Sequence, residues 1–207
     1  MKCIVIKTTG KHYIVKTIDG VVLQCRLKGK FRLQELKTTN PIVVGDRVEV
    51  NEDSGNWIIV KLFKRNNQII RRSVNLSKQT HIIAANIDQA ILMITLSNPI
   101  TSTSFIDRFL VSANAYGINV VLLFNKLDMY DNSLLKYQKE LSQVYNSIGY
   151  TTVSLSVLYD NLSKLKSLMK DKLNMIAGHS GVGKSTLINK LQPDLNIETK
   201  EISKTHK

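Results

Sequence analysis

The sequence predicts two folds in tandem: an all-β barrel over residues 1–72 and an α/β domain with a parallel sheet over residues 73–207. Three observations carry this. Short β-branched runs separated by turn signals fill the first 68 residues. From Asp88 onward, near-continuous apolar runs alternate with stretches of helical periodicity. Near the end, a glycine-rich pattern stands between an apolar run and a helix. At 207 residues the chain is long enough to bury a sizeable core in one or two domains.

In the first part, Cys3–Lys7 and Tyr13–Thr17 read as strands on either side of Thr9-Gly10-Lys11. Asp19-Gly20 signals a hairpin before Val21–Leu27. Pro41 and Gly45-Asp46 break the chain before Arg47–Val50, and Ser54-Gly55-Asn56 turns it into Trp57–Leu62. About five short strands in so few residues suggest an OB-fold, with a small sandwich or an SH3-like barrel as alternatives. Residues 65–88 are rich in Arg, Asn, Ser and Gln and read as a polar joint, with the domain boundary near Ser73.

The second part begins with Ala90–Leu96, an apolar strand suited to a sheet covered on both faces. Ser104 and Asp107 resemble a capping box for a helix that Gly117 ends. Val120–Phe124 is the next strand, Asn132–Ile148 a helix closed by Gly149, and Tyr150–Leu155 a strand. Asp160–Lys172 reads as a helix and Leu173–Ala177 as the last strand. This alternation implies a parallel, doubly wound sheet.

That last strand runs into Gly178-His179-Ser180-Gly181-Val182-Gly183-Lys184-Ser185-Thr186, which fits G-x-x-x-x-G-K-[ST] at every fixed position. The glycines let backbone N–H groups converge on phosphate oxygens, and the following helix N-terminus favours negative charge. Lys184 is expected at the β- and γ-phosphates, and the Ser185 hydroxyl on Mg²⁺; these two are the candidate catalytic residues. His179 lies at a loop position that ordinarily points away from the γ-phosphate, so no residue is assigned to activate water. Gly181 stands where some cation-activated enzymes carry Asn, which gives no support for a potassium requirement.

Directly after the Val120–Phe124 strand comes Asn125-Lys126-Leu127-Asp128, an N-K-x-D. The Asp128 carboxylate can accept the N1–H and N2–H₂ of guanine together, while Asn125 can pair with the base's other polar edge. Adenine lacks the second donor, so the pattern favours GTP and GDP over ATP. Its place at the C-terminal end of a buried parallel strand is where ligands of open α/β sheets bind. In common GTPases the phosphate loop precedes N-K-x-D; here it follows, a circular permutation of the same site.

The net charge of +13 is uneven: residues 1–75 carry 15 Lys/Arg against 6 Asp/Glu, the rest 14 against 10. The first third is therefore the expected polyanion-binding part. Arg26, Lys28, Lys30 and Arg32 fall at every second position, with Phe31 among them. Such a stripe can follow an RNA backbone; the plainer alternative is a charged strand face that protects a sheet edge. Cys3 and Cys25 lack metal spacing and fit a reducing compartment. No apolar run approaches the roughly 18 residues of a membrane span, and the start has no signal-peptide core. A cytoplasmic monomer is expected, with no membrane partner.

These residues resemble the circularly permuted RsgA family of ribosome-biogenesis GTPases. The likeness runs through Arg71-Arg72-Ser73, Asn75–Gln79, Ala85–Gln89, Thr103–Arg108, Asn125–Asp128 and Gly178–Thr186. It implies an OB-fold RNA-binding domain, a permuted GTPase domain, binding to 16S rRNA in the 30S subunit late in its maturation, and hydrolysis stimulated by that subunit. Two departures stand out. The loop that helps hold guanine in the family is degenerate around Leu155-Ser156-Val157. No D-x-x-G occurs before Lys207, so the switch threonine and the family's Cys/His zinc domain would lie beyond it. A truncated product, with weak GTP binding, slow turnover and an uncovered edge beside the phosphate-loop strand, is the expectation. A non-catalytic RNA-binding remnant is the alternative, and an ATPase is disfavoured by Asp128.

Overall fold

The computed structural model describes residues 1–10, 12–28, 41–72, 80–195 and 197, and these pack into two units, Met1–Ile87 and Asp88–Lys207. In the first, β1 (Lys2–Thr9), β2 (His12–Thr17), β3 (Val22–Leu27), β4 (Arg47–Asp53) and β5 (Asn56–Leu62) close a barrel in the order β1-β2-β3-β5-β4. β4 returns to lie beside β1, which gives the Greek-key arrangement of a five-stranded OB-type barrel. Period-two patterning drives the closure. Val5, Val15, Cys25, Val48, Val50 and Ile59 point inward and are buried, while their neighbours face out.

The stretch read as a polar joint contains two strands among its described residues. Gln68–Arg72 (β6) pairs antiparallel with Thr80–Ala85 (β7). Ile70 packs against a small core of Val43, Ile82 and Ala85, and Val44 bridges to Ala84. Buried Asn86 donates to the Gly45 carbonyl and accepts from the Asn66 N–H, both at 2.9 Å. The ribbon thus belongs to the barrel unit. Packing divides the chain at Ile87/Asp88, downstream of the 72/73 division that polarity suggested.

Asp46, with no solvent exposure, anchors this end of the unit. Its carboxylate takes Arg65 Nε and Nη2 at 2.7 and 2.8 Å and the Val43 N–H at 2.8 Å. Arg65 also donates to the Pro41 carbonyl at 3.0 Å. A bidentate pair with its remaining lone pairs and donors satisfied is the form in which a buried charge is tolerated.

In the second unit β8 (Gln89–Ile94), β9 (Asn119–Phe124), β10 (Thr151–Ser154) and β11 (Asn174–Ala177) form an all-parallel sheet in the order β10-β9-β8-β11. All six residues of β8 are buried, as a strand covered on both faces requires. α1 (Thr103–Ala115) and α2 (Asn132–Ser147) end just before Gly117 and Gly149, as read from the sequence. The cap of α1 is Ser102, whose hydroxyl accepts the Phe105 N–H, and not Ser104; Asp107 instead accepts the Tyr145 hydroxyl at 2.9 Å. The third helix, α3 (Ser163–Met169), is shorter than expected. Asp160 and Asn161 close turns onto the Ser156 and Ser163 N–H groups, both at 2.7 Å, and so hold the chain out of helix. α4 (Lys184–Leu191) follows the phosphate loop. No helix among the described residues is long and apolar enough to cross a membrane.

Candidate nucleotide site

β9 and β11 flank β8, so the segments leaving their C-terminal ends emerge on the same edge of the sheet. That places the two motifs, some fifty residues apart in the chain, side by side. A cavity of about 180 Å³ is lined by Asn125, Lys126 and Asp128, by Ser156 and Val157 from the loop after β10, and by Gly183 and Thr186.

Asn125 joins these parts. It is buried, its Nδ2 donates to the Val182 carbonyl at 2.8 Å, and its Oδ1 accepts the Val157 N–H at 2.9 Å. One side chain therefore ties the phosphate loop to the loop after β10, leaving a single Nδ2 hydrogen for a base. The sequence reading assigned Asn125 to the base alone and missed its role as a junction. The Leu155–Val157 stretch, read as degenerate, delivers a backbone N–H to that junction and lines the cavity without its family-type side chains. Tyr130 also went unread. Its buried hydroxyl donates to the Asn125 carbonyl at 2.8 Å and accepts the Leu96 N–H at 2.7 Å, bracing the motif against the end of β8. Burial raises its pKa above the ordinary phenol value, and the Asp128 charge adds to this.

Lys126 sits in the left-handed region at φ 65° and sends Nζ to the Asn98 carbonyl at 2.6 Å. Desolvation lowers its pKa, partly opposed by Asp128. With Lys126 so turned, Leu127 and Asp128 enter a single 3-10 turn that leaves Asp128 exposed at the cavity.

The phosphate loop needs its glycines for space as well as for torsion. A Cβ on Gly178 (φ 141°) would stand 2.6 Å from the Met93 carbonyl oxygen of β8, and one on Gly183 (φ 100°) 2.6 Å from Asn125 Nδ2. Val182 is buried in the sheet core, while Ser180 is exposed. Gly181 also has positive φ, at 83°. Lys184 curls back over the loop and donates to the carbonyls of Gly178 and His179 at 2.9 and 2.6 Å; desolvation lowers its pKa. His179 stacks on Phe105 of α1, ring centroids 4.0 Å apart. Lys190 of α4 reaches the carbonyls of Leu158 and Asp160, a second tie to the loop after β10.

Mg²⁺ in phosphate sites keeps several waters and takes few protein oxygens. The half-buried Ser185, in the first turn of α4 beside Lys184, offers one hard oxygen, so the residues present fit the ion. Among the described residues no group of three His, Cys, Asp or Glu is placed to hold a metal. In the barrel, Arg26 and Lys28 are exposed on and just after β3, and Arg26 lines a cavity of about 210 Å³ with Gln24 and Trp57. Lys30 and Arg32, the rest of the stripe, lie outside the described residues.

Comparison with known proteins gives two family matches, RsgA N-terminal domain over residues 2–58 and RsgA GTPase over residues 62–207. The chain is 52% identical to the small ribosomal subunit biogenesis GTPase RsgA of Christiangramia forsetii, over 100% of the chain and 67% of that protein. It is 48% identical to the Flavobacterium psychrophilum protein of the same name, over 100% of the chain and 65% of that protein. Among solved structures it resembles YjeQ from Thermotoga maritima, with TM-score 0.78 and 38% identity, covering 96% of this chain and 67% of that one. It also resembles YloQ, described as a circularly permuted GTPase, with TM-score 0.70 and 28% identity, over 95% and 66%. The chain thus spans about two thirds of the length of the relatives it matches.

Proposed function

The chain belongs to the RsgA GTPase family, and from that membership we propose that its α/β unit binds and hydrolyses GTP while its basic barrel holds rRNA of the maturing 30S subunit. The observation that supports this most directly is the single cavity shared by N-K-x-D and the phosphate loop, with Asn125 bonded to both walls. In this reading the guanine lies against Asp128, whose carboxylate accepts N1–H and N2–H₂. The loop amides from Gly181 to Ser185 hold the β-phosphate. Lys184 exchanges its two carbonyl partners for phosphate oxygens, and Ser185 holds Mg²⁺, which supplies charge neutralisation at the β- and γ-phosphates when bound. Lys184 stabilises the negative charge on the transferring phosphoryl group. On the barrel, Arg26 and Lys28, with Lys30 and Arg32 continuing the alternation, neutralise RNA phosphates.

The test is titration of the 207-residue chain with a fluorescent GTP analogue in Mg²⁺, with ATP as competitor, followed by phosphate release with and without 30S subunits. Micromolar binding that ATP does not displace, and release that is slow but accelerated by the subunit, is the expected result. Binding without turnover would leave an RNA-binding protein with a nucleotide sensor, and no binding by a folded chain would overturn the reading.

A further inference from the structure

The barrel has a second cationic feature, away from β3. A cavity of about 410 Å³ opens on the outside of β2, β1 and β4 and at the chain leaving β5. Its cations are placed by register. Ile4 of β1 pairs with Lys16 of β2 on one side and Arg47 of β4 on the other, so one outward row reads Lys16, Ile4, Arg47. Lys2 is two residues from Ile4 and shares its face; Lys64 completes the rim. No acidic residue lines the cavity. Glu49, which faces Lys2 across the ladder, is not part of the lining.

An aromatic ring belongs to the same cavity. Phe63 is half-buried just after β5, its backbone N–H tied to the Arg47 carbonyl at 2.9 Å. The ammonium groups of Lys2 and Lys61 lie 5.8 and 5.2 Å from its centroid. A ring collecting cations at this range marks a place where an electron-rich face meets positive charge. A purely solvated basic surface has no need of a concave site, and an apolar ligand has no need of four cations around it. An aromatic platform inside a cationic groove is the combination that binds unpaired nucleotides, since every base has a π-face and every linkage a phosphate. The volume lies within the range of small-ligand sites.

We propose that the β2-β1-β4 face of the barrel binds an unpaired nucleotide of single-stranded RNA, its base on Phe63 and its phosphates among Lys2, Lys16, Arg47 and Lys64. This rests on the barrel being the RNA-binding unit, but the site is distinct from the Arg26/Lys28 stripe on β3. The ammonium groups now near the ring turn to the phosphates as the base takes its face.

The test uses the full 207-residue chain and fluorescence anisotropy with a labelled single-stranded oligouridylate about ten nucleotides long, at several salt concentrations, beside an RNA duplex of equal length. Phe63→Leu keeps the apolar filling and removes the ring; it is expected to weaken oligouridylate binding about tenfold with the salt slope unchanged. The surface variant Lys16→Gln/Arg47→Gln is expected to lower the salt slope by about 1.4, two phosphates at roughly 0.7 each. Fluorescent GTP binding and the unfolding midpoint serve as fold controls. If both variants bind like the parent while Arg26→Gln/Lys28→Gln loses the RNA, the barrel remains the RNA unit and this site is overturned. Equal weakening of duplex and single strand by Phe63→Leu would overturn the requirement for an unpaired base. A parent chain that binds neither oligouridylate nor 30S subunits would overturn the underlying reading as well.

Discussion

Asn125 engages two loops through two atoms, so truncating it has a predictable cost. Asn125→Ala leaves the Val182 carbonyl and the Val157 N–H without their partner in a buried setting. At about 1–3 kcal/mol for each unsatisfied group, the variant should lose about 2–6 kcal/mol of stability in urea unfolding. Nucleotide affinity should fall with it. Asp128 is different, being exposed and outside the packed core. Asp128→Asn should leave the unfolding midpoint unchanged and weaken GTP binding by about a hundredfold or more, since two charge-assisted bonds to guanine are lost. Equal GTP affinity in parent and variant would place the base elsewhere. Cys25, fully buried on β3, has its pKa raised by burial from the usual thiol range to about 11, with Cys3 adding to the shift. The folded thiol stays protonated where the unfolded one ionises. Its contribution is complete below about pH 9 and is lost as pH rises toward 11, a fall of about 3 kcal/mol that Cys25→Ala should abolish in pH-resolved unfolding curves.

At the level of elements, the join between β4 and β6 turns on Asp46 and Arg65. Arg65→Ala strands a buried carboxylate and should cost about 3–5 kcal/mol by chemical unfolding, against much less for an exposed pair. The five barrel strands and the four parallel strands were legible because their side chains follow simple periods. β6 and β7 were not. Their isoleucines are few and sit among Arg, Asn and Gln, and their partner is the barrel, which no local pattern announces. α3 was overextended because Asp160 and Asn161 look compatible with helix until their turn contacts are seen. In the site, each motif could be read alone. The junction made by Asn125, the brace from Tyr130 and the closeness of Gly178 to Met93 depend on which strands become neighbours, a fact of topology.

For the whole molecule, two units with separate cores should behave as separate folding units. A fragment of residues 1–87 should unfold cooperatively, whereas residues 1–72 should be markedly less stable, because β6 loses its partner and Val43 its cover. Matching midpoints for the two fragments would show that the ribbon adds nothing to the barrel. The order of strands in the other unit sets a timetable. β8, β9 and β10 are adjacent in the sheet and consecutive in the chain, so they can assemble while synthesis continues. β11, which carries the phosphate loop, follows these three and docks on the other side of β8. At about 5–20 residues per second, the loop leaves the ribosome some 3–10 seconds after N-K-x-D. During that interval the nascent protein has the base-reading corner of its site and nothing to hold a phosphate, so it cannot capture a nucleotide until β11 is in place.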